Sequence, residues 1–312
     1  MRHRTVAAIV LGAAMISAAQ AQDSHRIADA PDRAAPLALV APNGLPAPPP
    51  EKPPVPGRCP PLDPGELSEQ TPAGSLPMIA GNGCMPWLAH AAAFNHREMR
   101  PRVGIVVTGL GKDPVLSQRA IDLLPPRISL GFAPDSPFLD RWIELARKRG
   151  HEVLVVLPVQ QPGKPHGGLL LPLTADLPAA ENVRRLHAVL SRAGAGYIGV
   201  IIPATTPLSR SEPAMRPLLE EIAGRGLLLL ETFRTTATAH GIARKIGLPY
   251  SADAGWIDRQ PDPAEIFANL VALERVARQN RFALAVATAQ RSTIERLIEW
   301  SASVETRGLV LA

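Results

Sequence analysis

The sequence predicts an α/β fold, in which a deformed parallel (β/α)7–8 barrel at residues 101–312 follows a disordered proline-rich linker. Two observations support this prediction. Short apolar, β-branched runs recur without polar alternation, which indicates strands buried on both faces and hence a parallel sheet. Amphipathic helical stretches separate these runs, so strand and helix alternate about eight times, as in β/α-barrels.

Eight segments are predicted as strands, and the sixth is the weakest. In chain order they are Val103–Val107, Ile128–Phe132, Val153–Leu157, Tyr197–Ile202, Leu227–Leu230, Pro249–Asp253, Phe282–Ala287 and Leu309–Leu311. A doubly wound open sheet is the alternative. That fold usually carries a glycine-rich phosphate loop after its first strand, but residues 108–112 (TGLGK) fit neither the dinucleotide-binding nor the Walker A spacing. The barrel is therefore favoured.

The helices between the strands are predicted from apolar spacing and capping residues. Within Leu139–Ala146, apolar residues recur at i, i+3, i+4 and i+7, the pattern of a helix with one buried face. Asp262–Glu265 combines a cap, a proline in the first turn and a glutamate three residues after the cap. Ser292–Glu295 is predicted as a second capping box. Both boxes predict helix starts.

Residues 1–21 have the features of a secretory signal peptide. Arg2 and Arg4 precede the apolar run Val6–Ile16, and Ala19-Gln20-Ala21 is a small-x-small cleavage site. An uncleaved anchor is the alternative. We therefore expect a periplasmic or secreted protein, with no transmembrane helix once the signal is cleaved.

Residues 22–60 are predicted to form the proline-rich linker, and residues 61–100 a small collar before the barrel. Ten of the 21 residues from Ala41 to Pro61 are proline, a composition that favours an extended polyproline conformation. The predicted export favours a disulfide between Cys59 and Cys84 over two free thiols, because disulfides persist outside the cytoplasm.

The charge pattern argues against nucleic acid as a partner. The net charge is +5 and aromatic residues make up 4% of the chain. No basic run is interleaved with aromatic residues, as nucleic-acid binding would require. A mixed, solvated surface is the expected outcome.

Functional side chains are expected at the carboxyl ends of the strands, where β/α-barrels carry their chemistry. The sequence contains no HExxH, GxSxG or SxxK motif to place a known catalytic group there. Eight residues that follow the strands are candidates for ligand binding. They are Thr108, Gly109, Asp135, Gln160, Thr205, Thr288, Gln290 and Arg291.

Three further residues are candidates for catalysis: Glu231, Asp258 and His166. Glu231 follows the fifth strand, and the alternative for it is an ion pair with Arg234. Asp258 lies in the sixth-strand region, which also offers Asp253, and its alternative is a helix or turn cap. His166 lies in a loop long enough to swing over the barrel mouth, and its alternative is a solvated loop histidine.

The barrel region resembles the divergent polysaccharide deacetylase family, relatives of the NodB-type carbohydrate esterases. The matching segments occur in the family's order across residues 102–312. They are RVGIVVTGLG, LLPPRISLGFAPDSPFLDRWIELARKRGHEVLVVLPVQ, GYIGVIIP, RGLLLLETFRTT, IDRQPDPAEI and STIERLIEW. The resemblance implies a deformed β/α-barrel, of the glycoside hydrolase and deacetylase type, and a role at envelope carbohydrate.

The resemblance also implies zinc as the cofactor, but the ligands are not evident in this chain. Active-type members resemble zinc hydrolases with two aspartates after the first strand, a histidine after the fourth, an aspartate after the fifth and histidines after the seventh. In this chain Thr108 and Gly109 follow the first strand, and the position after the fourth strand falls at about Pro203. Glu231 follows the fifth strand, and the positions after the seventh fall at about Thr288 and Gln290. Asp258 matches an acidic position of the family. A catalytic zinc needs about three N, O or S ligands, so no metal ligands are predicted.

Three functions are compatible with these features. The first is a catalytically degenerate barrel that binds envelope glycan or a peptidoglycan-processing protein. The second is an active metal-dependent deacetylase of N-acetylated polysaccharide, with a site rebuilt from Glu231, Asp258 and His166. The third is a structural envelope protein that works through its proline-rich arm. The first is favoured, because the fold signals are retained while the zinc ligands are replaced.

Overall fold

The computed structural model describes residues 59–63, 65–72, 74–95, 97–163, 168–233 and 236–312. The predicted signal peptide, almost all of the predicted linker and His166 lie outside the described residues. Within these ranges, every helix is too short or too polar to span a membrane.

Strands and helices alternate along most of the described chain. The strands are β1 (Ser68–Thr71), β2 (Gly74–Pro77), β3 (Arg102–Leu110), β4 (Ser129–Phe132), β5 (Val153–Val156), β6 (Gly199–Pro203), β7 (Leu228–Thr232), β8 (Tyr250–Ala252), β9 (Gly255–Trp256), β10 (Phe282–Thr288) and β11 (Val310–Leu311). The helices are α1 (Pro86–Ala89), α2 (Pro114–Leu123), α3 (Leu139–Lys148), α4 (Ala179–Ala193), α5 (Pro207–Arg210), α6 (Glu212–Gly224), α7 (Thr238–Ile246), α8 (Pro263–Asn280) and α9 (Arg291–Ser301).

The strands β3 to β11 form one sheet in which all the pairings are parallel. Its order is β8-β7-β6-β5-β4-β3-β10-β9, and β11 adds to the start of β3 through the pair Val310 and Arg102. Helices connect the strands, as parallel crossovers require. The predicted parallel α/β architecture is confirmed.

One short segment, residues 250–256, pairs with both edges of the sheet. Its first half is β8, which pairs with β7, and its second half is β9, which pairs with β10. Between them the Asp253 N–H donates to the Glu231 carbonyl (3.2 Å) and the Ala254 N–H donates to the Leu284 carbonyl (2.6 Å). Because both edges meet on the same segment, the sheet curls into the deformed barrel that the sequence predicts.

The two faces of the sheet contact different surroundings, because successive strand residues point to opposite sides. Residues of the outer face pack in one large cluster with the helices; in β3 these are Val103, Ile105 and Val107. Residues of the inner face form a smaller cluster inside the barrel: Val106, Leu154, Ile201, Leu230 and Val286. This alternation decides which side chains can reach the barrel mouth.

Of the two capping boxes predicted to start helices, the one at Asp262 is correct and the one at Ser292 is wrong. Asp262 caps α8 by accepting from a backbone N–H two residues on, at 2.7 Å. Helix α9 begins before the predicted box at Ser292–Glu295 and has no side-chain cap. Gln290 is its N-cap residue, and the Thr293 hydroxyl in its first turn donates to Asp258 at 2.7 Å, which ties the start of this helix to the sheet.

The segment before the barrel contains the antiparallel hairpin β1–β2 and the short helix α1. A disulfide joins Cys59 to Cys84, with 5.7 Å between their Cα atoms. An ion pair between Arg225, at the end of α6, and Glu69 (2.7 Å) attaches the hairpin to the barrel. This segment therefore lies against the barrel wall.

Removing the disulfide should lower the free energy of unfolding by about 3 kcal/mol, since the bond closes a loop with a sequence separation of 25. Denaturant unfolding of the Cys59→Ser, Cys84→Ser double variant would measure this loss. Wild-type protein unfolded in reductant is the matched comparison and should behave like the variant. Identical unfolding of oxidised and reduced wild-type protein would contradict the expectation.

Candidate functional site

The barrel mouth is formed at the carboxyl ends of the strands, and two threonines lie at its centre. Thr108 on β3 pairs in register with Thr288 on β10, and both lie on the inner face. The Thr108 hydroxyl donates to the Ala287 carbonyl at 3.0 Å. The Thr288 hydroxyl accepts from the indole N–H of Trp256 at 3.2 Å. Each hydroxyl therefore holds a neighbouring group at the mouth.

An aromatic pair lies beside these threonines. The rings of Phe233 and Trp256 are stacked, with centroids 4.5 Å apart and planes 5° from parallel. The Arg259 guanidinium carbon is 5.7 Å from the Phe233 ring centroid. Phe233 has a φ of 55°, a left-handed conformation that costs a non-glycine residue about 1–3 kcal/mol. Such strain persists only where surrounding contacts impose it, and it is concentrated at functional sites.

Asp253 is a carboxylate beside the aromatic pair. It lies in the junction between β8 and β9, next to Phe233 and to the charge of Arg259. Its Oδ1 accepts from the Phe233 N–H at 3.1 Å, and within the described ranges its buried Oδ2 has no hydrogen-bond partner. Burial raises the pKa of Asp253 to about 6, although the Phe233 N–H and the charge of Arg259 oppose the shift.

Asp253→Asn should stabilise the protein at neutral pH. A carboxyl pKa raised from 3.8 to about 6 means that the native state binds this proton more tightly than the unfolded state. That stability is fully present below about pH 4 and is lost as the pH rises through about 6. The asparagine keeps the acceptor for Phe233 and carries no charge, so we expect a gain of about 2 kcal/mol at pH ~7.5.

Denaturant unfolding of wild type and Asp253→Asn at about pH 4 and about pH 7.5 measures this difference. Asp135→Asn, which changes a partly exposed carboxylate of the same mouth, is the control and should gain nothing at the higher pH. Parallel pH profiles for wild type and Asp253→Asn would show that Asp253 is not the buried acid described.

The structure does not bring Glu231 to the mouth. It lies on the outer face of β7, in phase with Leu229, which packs against the helices. Its Oε2 accepts a hydrogen bond from the Tyr250 hydroxyl, and the His240 ring on α7 contacts the Tyr250 ring at a centroid distance of 5.3 Å. Glu231 is thus completely buried between the sheet and the helix layer.

Asp258 lies beneath the mouth and binds backbone and side-chain donors. Its two oxygens accept from the Thr288 N–H at 3.0 and 2.9 Å, and Oδ2 also accepts from the Thr293 hydroxyl. Burial raises the pKa of Asp258, against the opposing effect of these hydrogen bonds. This geometry joins the end of β10 to α9, so Asp258 has a positioning role.

The other predicted residues follow the strands as expected, but most lie at the rim. Asp135 forms an ion pair with Lys112 at 3.2 Å, across the first two loops. The Gln160 side chain donates to the Gln161 carbonyl, and Thr205 is exposed. Gly109 has a φ of 80°, a turn that favours glycine. Gln290 is the N-cap residue of α9, followed by the exposed Arg291.

The described residues of the mouth do not fit a zinc ion. Zinc in enzymes is held by about three imidazole, thiolate or carboxylate ligands. Here Thr108 and Thr288 offer hydroxyls that are already hydrogen-bonded, and Gly109 offers no side chain. In the part of the chain that the structure describes, no three His, Cys, Asp or Glu side chains are grouped as a metal site would require.

Sequence reasoning predicted the two threonines of the mouth but missed three residues that the structure places beside them. Trp256 and Phe233 were not singled out, and Asp253 was noted only as a neighbour of Asp258. A usable signal was the aspartate three residues before the tryptophan, at the end of the weakest predicted strand. Using this signal would have required knowing which residues of that strand point into the barrel, and the three residues of β8 are too few to show it.

Comparison with known proteins identifies the family. The family model described as divergent polysaccharide deacetylase matches residues 105–312. The crystal structure of an uncharacterised protein from Agrobacterium tumefaciens C58 is similar to this chain at 34% sequence identity and a TM-score of 0.71, covering 77% of this chain and 97% of that chain.

More distant comparisons add little. A protein from Enterococcus faecalis V583, for which cellobiose-phosphate cleavage has been suggested, covers 68% of this chain and 97% of its own at 14% identity, with a TM-score of 0.49. No curated protein sequence matches the chain. The match over residues 105–312 and the Agrobacterium structure together show that this chain belongs to the divergent polysaccharide deacetylase family.

Proposed function

We propose that this chain is a carbohydrate-binding barrel of the cell envelope in which zinc-dependent deacetylation is lost. The observation that supports it most is the composition of the mouth. A barrel of a deacetylase family carries an aromatic pair, a buried carboxyl group and threonine hydroxyls where a zinc hydrolase needs metal ligands.

The side chains of the mouth suit a sugar. Aromatic rings offer apolar faces to the C–H groups of a pyranose, and Trp256 is partly exposed at the inner wall. The Asp253 carboxyl group can accept from a sugar hydroxyl or an acetamido N–H, and Arg259 lies nearby as a donor. A few polar groups among apolar walls is the usual composition of a small-molecule site.

A rebuilt hydrolytic site is less well supported. The site that the sequence suggested for it consists of Glu231, Asp258 and His166. Glu231 faces the helix layer and Asp258 is bound to Thr288 and Thr293, so neither is placed to act on a ligand in the mouth. We therefore propose binding without hydrolysis.

The proposed ligand is an N-acetylated glycan of the envelope, such as a peptidoglycan fragment, in the periplasm or outside the cell. The family membership supports carbohydrate, and the signal peptide predicted at residues 1–21 supports export. A peptidoglycan-processing protein that presents such a glycan is the alternative partner.

Isothermal titration of the purified chain with N-acetylglucosamine oligomers and peptidoglycan fragments tests the proposal. We expect saturable binding of at least one N-acetylated ligand. Glucose oligomers of the same length are the control and should bind at least about tenfold more weakly. Absence of heat with all N-acetylated ligands would overturn the proposal.

A further inference from the structure

A cavity lies at the opposite end of the barrel, where the strands begin. Its volume is about 270 Å³. The first residues of β3 and β10, Arg102 and Phe282, form part of its wall, and so does Leu228 at the start of β7. Trp87 and Phe94, from the segment before the barrel, cover it from outside. This cavity is separate from the mouth, which lies at the carboxyl ends of the same strands.

The walls of the cavity are mainly apolar. Trp87, Phe94, Leu228 and Phe282 supply aromatic and aliphatic surface. Phe282 is 44% exposed, so the cavity reaches the protein surface and a ligand can enter. Binding pockets for drug-sized molecules usually measure ~300–1,000 Å³, so this one suits a somewhat smaller ligand.

Two arginines add positive charge to this apolar site. Arg102 and Arg127 both line the cavity, and their guanidinium carbons lie 4.7 and 5.9 Å from the centroid of the Phe94 ring. A guanidinium group in a cation–π contact with a ring still carries N–H donors that can bind a bidentate anion. Within the described ranges neither arginine forms an ion pair with a carboxylate.

The acidic side chain of the cavity does not neutralise these arginines by direct pairing. Glu152 also lines the cavity, but its Oε1 accepts from the Ala92 N–H at 2.8 Å and its Oε2 accepts from the Ser129 hydroxyl at 3.1 Å. The carboxylate therefore attaches the covering segment to the barrel, and among the residues that the structure describes it forms no ion pair with Arg102 or Arg127.

We propose that this cavity is a second binding site, which takes a small amphipathic anion with a short apolar chain or ring and one carboxylate. The apolar part would lie against Trp87, Leu228 and Phe282, and the carboxylate would meet Arg102 and Arg127. This inference does not depend on the proposed glycan binding at the mouth, because the two sites share no residue.

Isothermal titration of the full chain with octanoate tests the proposal. We expect one saturable site, with octanol and octylamine binding at least about tenfold more weakly because they lack the negative charge. Equal binding of octanoate and octylamine, or no saturable binding at millimolar octanoate, would overturn it. Binding only to phosphatidylglycerol vesicles would also overturn it, because it would indicate a membrane surface instead of a free anion.

Two variants test whether octanoate binds in this cavity. Arg127→Gln removes an exposed guanidinium and should weaken octanoate binding about tenfold or more. Ala91→Phe fills the cavity from the covering segment and should abolish binding. Arg296→Gln, which removes a surface arginine paired with Glu299 on α9, is the control and should bind like wild type. Circular dichroism confirms that each variant is folded, and unchanged binding in folded Ala91→Phe would contradict the proposal.

Discussion

Trp256→Ala is expected to weaken the binding of an N-acetylglucosamine tetramer about thirtyfold or more. Trp256 is the aromatic residue on the inner wall of the mouth, stacked on Phe233 and hydrogen-bonded to Thr288. Removing the indole takes away apolar area that a sugar ring would cover, which is worth about 2 kcal/mol or more. Isothermal titration of wild type and variant gives the ratio of dissociation constants.

Two further substitutions test whether the loss of affinity comes from removing the aromatic ring at this position. Trp256→Phe keeps an aromatic face but loses part of the ring area and the N–H that Thr288 accepts, so it should bind more tightly than Trp256→Ala and more weakly than wild type. Phe267→Ala removes a half-exposed aromatic residue from the outer surface of α8 and should bind like wild type. If Trp256→Ala is folded and binds the tetramer as tightly as wild type, the mouth is not the sugar site.

Asp258→Ala is expected to lower the free energy of unfolding by about 3 kcal/mol or more, because two donors lose a buried acceptor. These donors are the Thr288 N–H and the Thr293 hydroxyl. The loss falls at the junction of β10 and α9, so amide hydrogen exchange should increase first in those two elements. Denaturant unfolding measures the total effect.

Asp262→Ala is the matched control for Asp258. It also removes an aspartate that accepts a hydrogen bond at a helix start, here one backbone N–H, but Asp262 is exposed. The loss of an exposed N-cap costs about 1 kcal/mol. Equal effects of the two substitutions would argue that burial of the Asp258 carboxylate, and its link between sheet and helix, contribute nothing.

The sequence predicted the alternation of strands and helices well, for a physical reason. Parallel strands such as Val153–Val156 are buried on both faces and therefore appear as continuous apolar runs. The closure of the barrel could not be predicted in the same way. Residues 250–256 form only two short strands, and their pairing with both β7 and β10 depends on contacts between residues distant in sequence.

The same property of the strands limited the prediction of the site. The strand LLLLET is apolar on both faces, so its sequence does not show which side chains point into the barrel and which point to the helices. Glu231 was therefore expected at the mouth. One position decides whether such a carboxylate faces the helices or the interior. Asp253 was the acid beside the aromatic pair, but its strand was the weakest of the eight predicted. The helix cap predicted at Ser292 was also wrong: the helix begins at Arg291, and its first turn is held by Asp258, 35 positions before Thr293.

Native mass spectrometry of the chain with an N-acetylglucosamine tetramer and zinc tests the central claim most directly, because one spectrum reports metal, ligand and product. Sugar binding without hydrolysis predicts a complex of the chain with the intact tetramer and no bound zinc. A zinc-loaded chain that releases a tetramer lacking acetyl groups would contradict the claim.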